Sequence, residues 1–345
     1  MNPPELAAGP GARREAGLEA GLEAGLEAGL DYVLPLRWEE DDGLDELTAY
    51  LSWLSRRARV IVVDGSPDAI FARHARRWRG LAVHVPPEPG FRYANGKVNG
   101  VLTGLRLARG DRVVIADDDV RYDERGLAAM RRLLGEHDLV RPQNHFHPLP
   151  WHARWDTART LLNRALGADY PGTLGVRRAC VEDGYDGDVL FENLELIRTV
   201  RARGGRVVSV PGLYVRRLPC SAGRFWSQRV RQAYDDLAQP ARLALSLSVL
   251  PAVGVAVSRR AFRPLLAGAV LAVLVAEAGR RRAGGRAVFP ASASLFAPVW
   301  ILERGVCGWL ALAAAVTGGV PYAGRRLRRA AHSTRRLRRR AGASG

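Results

Sequence analysis

The chain has 345 residues, 47% of them apolar, which is enough for one large or two ordinary domains with a sizeable core. Its formal charge of +17 rests on 52 basic residues, of which Lys97 alone is a lysine. Cys180, Cys220 and Cys307 are scattered and form no CxxC or Cys/His ligand pattern, which excludes a thiolate metal module and a disulfide scaffold and fits reduced thiols facing a cytosol.

Residues 1–30 are of low complexity, and from Glu15 to Leu30 the unit Glu-Ala-Gly-Leu is repeated four times. A period of four drifts round a helix and a glycine in every unit weakens it, so a disordered or weakly helical arm is expected. Its apolar residues are interleaved with Glu, unlike a secretory leader.

From Tyr32 the pattern becomes strands alternating with helices. The expected elements are a strand over Tyr32–Leu36, a helix near Leu44–Arg57, a strand over Val60–Val63 and a helix reaching Trp78. A strand over Leu81–Val85, a helix near Asn95–Ala108 and a strand over Val113–Ala116 follow. Such spacing argues for βαβ units and a mainly parallel sheet. The last of these strands ends in Asp117-Asp118-Asp119. Three adjacent carboxylates repel unless exposed or neutralised, and the carboxyl ends of parallel strands open on a ligand crevice. Hard oxygen ligands on such a loop suit Mg2+ or Mn2+, whereas an acidic turn without a ligand is the plainer alternative.

Beyond Arg242 four stretches carry no charge: Leu243–Ser258, Leu266–Ala276, Ala287–Leu302 and Gly305–Gly324. The last matches a bilayer core in length, and the others are short for spanning. Four crossings that start inside would keep Arg280, Arg281, Arg282 and the tail inside and leave Arg259, Arg260 and Arg263 outside, while surface attachment keeps all of them on one side. A buried helical subdomain is the soluble alternative. Arg325, Arg326, Arg328, Arg329, Arg335, Arg336 and Arg338–Arg340 crowd the tail, and this run fits anionic lipid better than nucleic acid because an uncharged stretch precedes it.

Five ordered segments carry polar chemistry. Val60–Val63 ends in Asp64-Gly65-Ser66; Asn95-Gly96-Lys97 holds the sole lysine; then comes the Asp triplet. Asp186–Leu196 contains Asp188, Glu192, Asn193 and Glu195, with a helix expected to begin near Phe191, and Gln228-Arg229-Val230-Arg231-Gln232 closes the series. A compact ammonium suits phosphate, and Arg231, three residues after Gln228, shares a helical face with it. His145-Phe146-His147 has a spacing that two metal ligands could use, and Trp151, His152 and Trp155 suit either an interfacial belt or the core.

In this order the segments resemble a GT-A glycosyltransferase of the family 2 type over residues 32–235, about three-fifths of the chain, and the ceramide-glucosyltransferase-like branch with C-terminal membrane segments. The resemblance implies an α/β, Rossmann-like GT-A domain over 31–242, membrane-associated helices over 243–324 and an Arg-rich cytosolic tail over 325–345. It implies an inverting transfer from a nucleotide sugar to a lipid, lipid-linked or glycan acceptor, at the inner (plasma) membrane with the catalytic domain cytoplasmic. Asp64, Lys97, Asp117, Gln228 and Arg231 would bind the donor, and Asp117 and Asp119 a divalent metal, Mg2+ or Mn2+. Asn193 stands where the family usually has its catalytic Asp, so Glu192, then Asp188, then Glu195 are the candidate bases. Gln232 replaces the family's Trp, and Pro171–Arg178 resembles the segment under the acceptor. A non-catalytic glycosyltransferase-like membrane scaffold is the alternative that these two departures motivate. A nucleotidyltransferase is disfavoured because Pro35–Glu40 contains no glycine.

Overall fold

The computed structural model describes residues 29–322 and 324–343. All but the last two residues of the expected Glu-Ala-Gly-Leu arm lie outside the described residues. The elements in chain order are β1 (Asp31–Leu36), α1 (Leu44–Leu54), β2 (Arg59–Asp64), α2 (Asp68–Arg77), β3 (Val83–Val85), α3 (Gly96–Leu107) and β4 (Arg112–Ala116). Then come β5 (Val120–Arg121), α4 (Glu124–Leu133), β6 (Leu139–Phe146), α5 (Trp151–Leu166), β7 (Thr173–Arg177), α6 (Glu192–Ala202) and β8 (Val207–Arg217). The remainder is α7 (Ala222–Ser227), α8 (Arg229–Tyr234), α9 (Pro240–Ser258), α10 (Phe262–Arg281), α11 (Ala297–Val316), β9 (Val320–Tyr322), β10 (Arg325–Leu327) and α12 (Thr334–Ala343).

β1 to β8 form one sheet in the order β3-β2-β1-β4-β7-β6-β8-β5. β3, β2, β1 and β4 run parallel, and β7 pairs antiparallel with β4. This is the mainly parallel α/β sheet that the alternation of strands and helices predicts. Its central strands are apolar on both faces because helices cover both. On one side Tyr32, Leu34 and Val62 pack on Leu47, Leu51, Leu54 and Trp78. On the other Val33, Ile61 and Ile115 pack on Val101, Leu105 and Ile197. α3 lies so close to β1 that a Cβ on Gly104 would overlap Val33, and one on Gly100 would stand 2.9 Å from Pro35 Cβ. The parallel run ends where β7 turns back beside β4, and this switch in direction puts the Asp triplet in the crevice at the strand ends.

The C-terminal region departs from expectation. Three segments, Pro240–Ser258, Phe262–Ala287 and Ala291–Val316, are long and apolar enough to cross a membrane, where four uncharged stretches were expected to act separately. Glu303 and Arg304, which divide the last two stretches in sequence, sit inside α11 instead of ending it. They face the domain, with Glu303 3.6 Å from Arg229 and Arg304 3.8 Å from Asp236, so their charges need no loop to reach water. The helix expected over 305–324 stops at Val316, because Gly318 and Gly319 take φ of +102° and +99° and turn the chain into the β9–β10 hairpin. Two apolar clusters straddle residue 243. Ala158 and Leu161 of α5 pack with Ala272 and Ala276 of α10 and with Ala297 and Trp300 of α11. Ala233 and Tyr234 of α8 pack with Cys307 and Ala311 of α11 and with Val320 and Leu327. α11 therefore lies along the α/β domain, touching it near both ends, and keeps Val299, Leu302, Val306, Leu310 and Val316 exposed on its outer side.

Replacing Gly104 by Ala forces α3 away from β1, a form of overpacking that costs about 1–3 kcal/mol. Thermal unfolding of Gly104→Ala should show a lower midpoint than the parent chain; an unchanged midpoint would mean that α3 and β1 are not in this contact.

Candidate functional site

The crevice is built from the ends of β4 and β8 and the starts of α3 and α6. Asn95 is the N-cap of α3: its buried Oδ1 accepts from Lys97 N at 3.1 Å and its Nδ2 donates to Val189 O at 3.0 Å. The cap thus fixes both the first turn that carries Lys97 and the loop that leads to Glu192. Lys97 Nζ lies 2.5 Å from Asp117 Oδ1 and 2.6 Å from Glu192 Oε1. Burial disfavours this ammonium, but Asp117 and Glu192 outweigh it and hold it charged well above the ordinary lysine range.

Arg217, at the end of β8, neutralises the other side of the triplet. Its Nε donates to Asp119 Oδ1 at 2.9 Å and Oδ2 at 2.8 Å, and its Nη2 to Asp117 Oδ2 at 3.3 Å. Asp118 is turned away and accepts from Trp38 Nε1. Burial still pushes the Asp119 carboxyl up to about 6; Arg217 pulls it down, and Asp117 and Asp118 push it up again. Gly172 makes the geometry possible, since a Cβ there would stand 2.7 Å from Asp117 Oδ2 and 3.1 Å from Arg217 Cζ. Two hard carboxylates converge on one cation, and a further positive charge is favourable at Asp119. These residues fit a divalent metal, with the Arg217 guanidinium occupying the place between the carboxylates.

Lys97, Asp117, Asp119 and Glu192 therefore meet in one cluster. Arg231 stands beside it: its guanidinium lies over the Tyr322 ring of the β9–β10 hairpin, 5.4 Å from the centroid. Burial and then the charge of Glu192 raise the Tyr322 phenol. Gln228 sits at the joint between α7 and α8, where its carbonyl accepts from Gln232 N at 2.8 Å. Asp188 is on the loop before α6, where its Oδ1 accepts from Ala94 N at 2.9 Å. Asn193 Nδ2 donates to Pro171 O at 3.0 Å. Glu195 is fully buried and is consumed by His332, whose backbone N and ring Nδ1 lie 2.6 and 2.8 Å from its two oxygens.

Asp64 ends β2 but points inward. His74 Nδ1 at 2.6 Å, His84 Nε2 at 3.0 Å and Ser66 N at 2.9 Å surround its carboxylate, which is shut off from solvent. Burial raises this group, yet the bonds from His84, Ser66 and His74 win and bring it down to about 2. In this structure the group braces the turn after β2 and the start of α2. Sequence reasoning missed Arg217, His74, His84 and Trp38. No local motif marks them, although Arg216-Arg217 at the end of a strand read against an acidic triplet was the one available signal.

No family model matches the chain, and no curated protein matches it. Among solved structures it is similar to the mannosyltransferase PcManGT from Pyrobaculum calidifontis in complex with GDP-Man and Mn2+, at 19% identity and a TM-score of 0.46 over 90% of this chain and 86% of that one. It is also similar to S. aureus TarS, at 17% identity and a TM-score of 0.41, covering 60% of this chain and 39% of that one. A third is glucosyl-3-phosphoglycerate synthase from Mycobacterium tuberculosis in complex with Mn2+ and UDP-Glc, at 18% identity and a TM-score of 0.41, covering 65% of this chain and 80% of that one. At these values the likeness is one of chain path, and chemistry has to be read from the residues.

Asp64 has a lowered native pKa, so its stabilisation is present above the unfolded value of 3.8 and is lost as pH falls toward about 2. For a carboxylate this enclosed the effect is about 2 kcal/mol. Asp64→Asn should lose stability near neutrality and show a shallower acid limb over that window in circular dichroism; a limb identical to that of the parent would contradict the pairing.

Proposed function

We propose that the protein is a metal-dependent glycosyltransferase that moves a sugar from a nucleotide donor to a hydroxyl acceptor at a membrane surface. The observation that carries this reading is the cluster at the switch point of the sheet, where Asp117 and Asp119 are held by Lys97 and Arg217 and linked through Lys97 to Glu192. Asp117 and Asp119 would hold the metal, which when bound supplies positive charge to the departing diphosphate. Lys97, released from one of its carboxylates, is a point charge for the same diphosphate, and Arg231, with Gln228 in the turn before it, adds a second cation on the far wall. Asp64 orders the turn that closes the nucleoside side of the crevice. Glu192 and Asp188 lie on the acceptor side, and an acceptor hydroxyl attacking from there meets the anomeric carbon opposite the leaving group, which gives inversion.

The exposed side of α9, α10 and α11 supports a membrane location. Leu245, Leu266, Leu271, Leu274 and Leu310 are all exposed there, and Trp151 and Trp226 add exposed indoles nearby. Because α11 runs along the domain, it is suited to lie in the plane of the interface with its outer side in lipid. In this reading the acceptor is a lipid or lipid-linked hydroxyl, and the domain lies on the cytoplasmic face of the inner (plasma) membrane. A non-catalytic scaffold is the second reading; it is favoured by Asn193, whose amide is spent on a backbone carbonyl.

Release of nucleoside diphosphate from UDP-glucose and GDP-mannose with Mn2+ separates the two. The parent chain should turn over one of them, and Asp119→Ala should lose about 10²-fold or more of that rate. Equal rates in both would remove the site assignment, and no turnover of either by the folded parent would favour the scaffold.

A further inference from the structure

The seam between α8, the single 3-10 turn that follows it and α11 contains polar atoms that the fold leaves incomplete. Gln232 Oε1, Asp235 Oδ1, both carboxylate oxygens of Glu303, and Nε and Nη1 of Arg304 are closed off from water and have no hydrogen-bond partner. They are six of fourteen such side-chain atoms among the described residues, drawn from four residues of one seam. An orphaned buried polar atom costs about 1–3 kcal/mol, and buried polar groups are nearly always bonded. Gln232 and Asp235 are three residues apart and share a helical face, and Glu303 and Arg304 reach the same elements through Arg229 and Asp236. Glu303 and Arg304 have only these longer ion pairs, and Gln232 Oε1 and Asp235 Oδ1 have no hydrogen-bond partner among the described residues, a set of donors and acceptors suited to a polyhydroxylated or similarly polar group.

The seam adjoins the candidate site. Asp235 follows Arg231 by four residues, and the Arg231 guanidinium lies over the Tyr322 ring. Burial raises the Asp235 carboxyl well above the usual range; the charge of Glu192 adds to this, as does Asp236, while Arg304 and Arg231 oppose it. The nearby carboxylates are otherwise engaged. One Glu192 oxygen is taken by Lys97, Asp188 by Ala94 N, and Glu195 by His332. Asn193, next to Glu192, has no basic oxygen to offer. Asp235 keeps an oxygen free, and an elevated carboxyl is better matched to proton abstraction near neutral pH than an ordinary one.

We propose that Asp235 is the acceptor-side general base and that Gln232, Glu303 and Arg304 form the subsite for the polar part of the acceptor. Asp235 Oδ1 takes the proton of the acceptor hydroxyl as that oxygen bonds to the anomeric carbon. The bond from the anomeric carbon to the diphosphate breaks with both electrons going to the diphosphate, and Asp235 returns its proton to solvent once the product leaves. The assignment rests on the sugar-transfer reading.

The test uses the full chain with UDP-glucose and GDP-mannose, Mn2+, and water as the acceptor, reading nucleoside diphosphate release against pH and donor binding by calorimetry. Asp235→Asn should bind the donor as the parent does, release diphosphate at least about 10²-fold more slowly, and lack the acid limb of the parent's pH profile. Asp235→Glu keeps a carboxyl and should recover part of the rate with a displaced limb, which shows that the loss in the Asn variant is not a folding defect. An Asn variant that releases diphosphate within about threefold of the parent, with the same limb, overturns the base assignment alone. A folded parent that binds neither donor overturns the sugar-transfer reading, and the base assignment with it.

Discussion

Three carboxylates in a row at the end of a buried strand are the constraint around which the rest of the structure is arranged. Two like charges 4 Å apart near a protein surface repel by about 4 kcal/mol. Each member of the triplet is answered from a different direction. Lys97 takes Asp117, Arg217 takes Asp119 and shares Asp117, and the Trp38 indole takes Asp118. Those partners need their own supports. Asn95 caps α3 so that Lys97 points inward, and Gly172 clears the space between β7 and Arg217. Even so, Asp119 is left above its ordinary range by burial, with a place for more positive charge.

The C-terminal region is joined to this centre rather than appended to it. The segment after the β9–β10 hairpin bonds to the loop before α6, with Leu190 N donating to Arg329 O at 2.9 Å and Phe191 N to Ala330 O at 2.8 Å. The buried Glu195–His332 pair and the ion pair between Arg340 and Asp186 at 3.0 Å hold the same segment down. α11 contributes Glu303 and Arg304 inward and an apolar side outward. On the proposed reading, the lipid-facing side and the acceptor wall are the two sides of this one element.

Much of the α/β domain was legible because its signals are local. Val60–Val63 and Val113–Ala116 are short apolar runs followed by turn residues, and both became strands with their acidic ends in the expected places. Lys97 stood out because every other basic residue is Arg, and the structure puts it between two carboxylates. What could not be read depends on pairing across the fold. Arg217 lies a hundred residues from Asp117, and the paired arginines at its strand end point to no particular partner until the fold is formed. Glu303 and Arg304 looked like a break between two apolar stretches because Arg229 and Asp236, which receive them, are about seventy residues away. The Asp64 motif was visible, but the two histidines that enclose it come from α2 and β3 and show only in three dimensions.

The proposed function requires this acidic cluster to be a metal-assisted site for a nucleotide sugar. Calorimetric titration of the purified full chain with UDP-, GDP- and dTDP-sugars, in Mn2+ and again in EDTA, tests it most directly. Saturable binding of one donor in Mn2+ that disappears in EDTA is the predicted result. Absence of binding to every donor by folded protein, or binding of equal strength in EDTA, would contradict it.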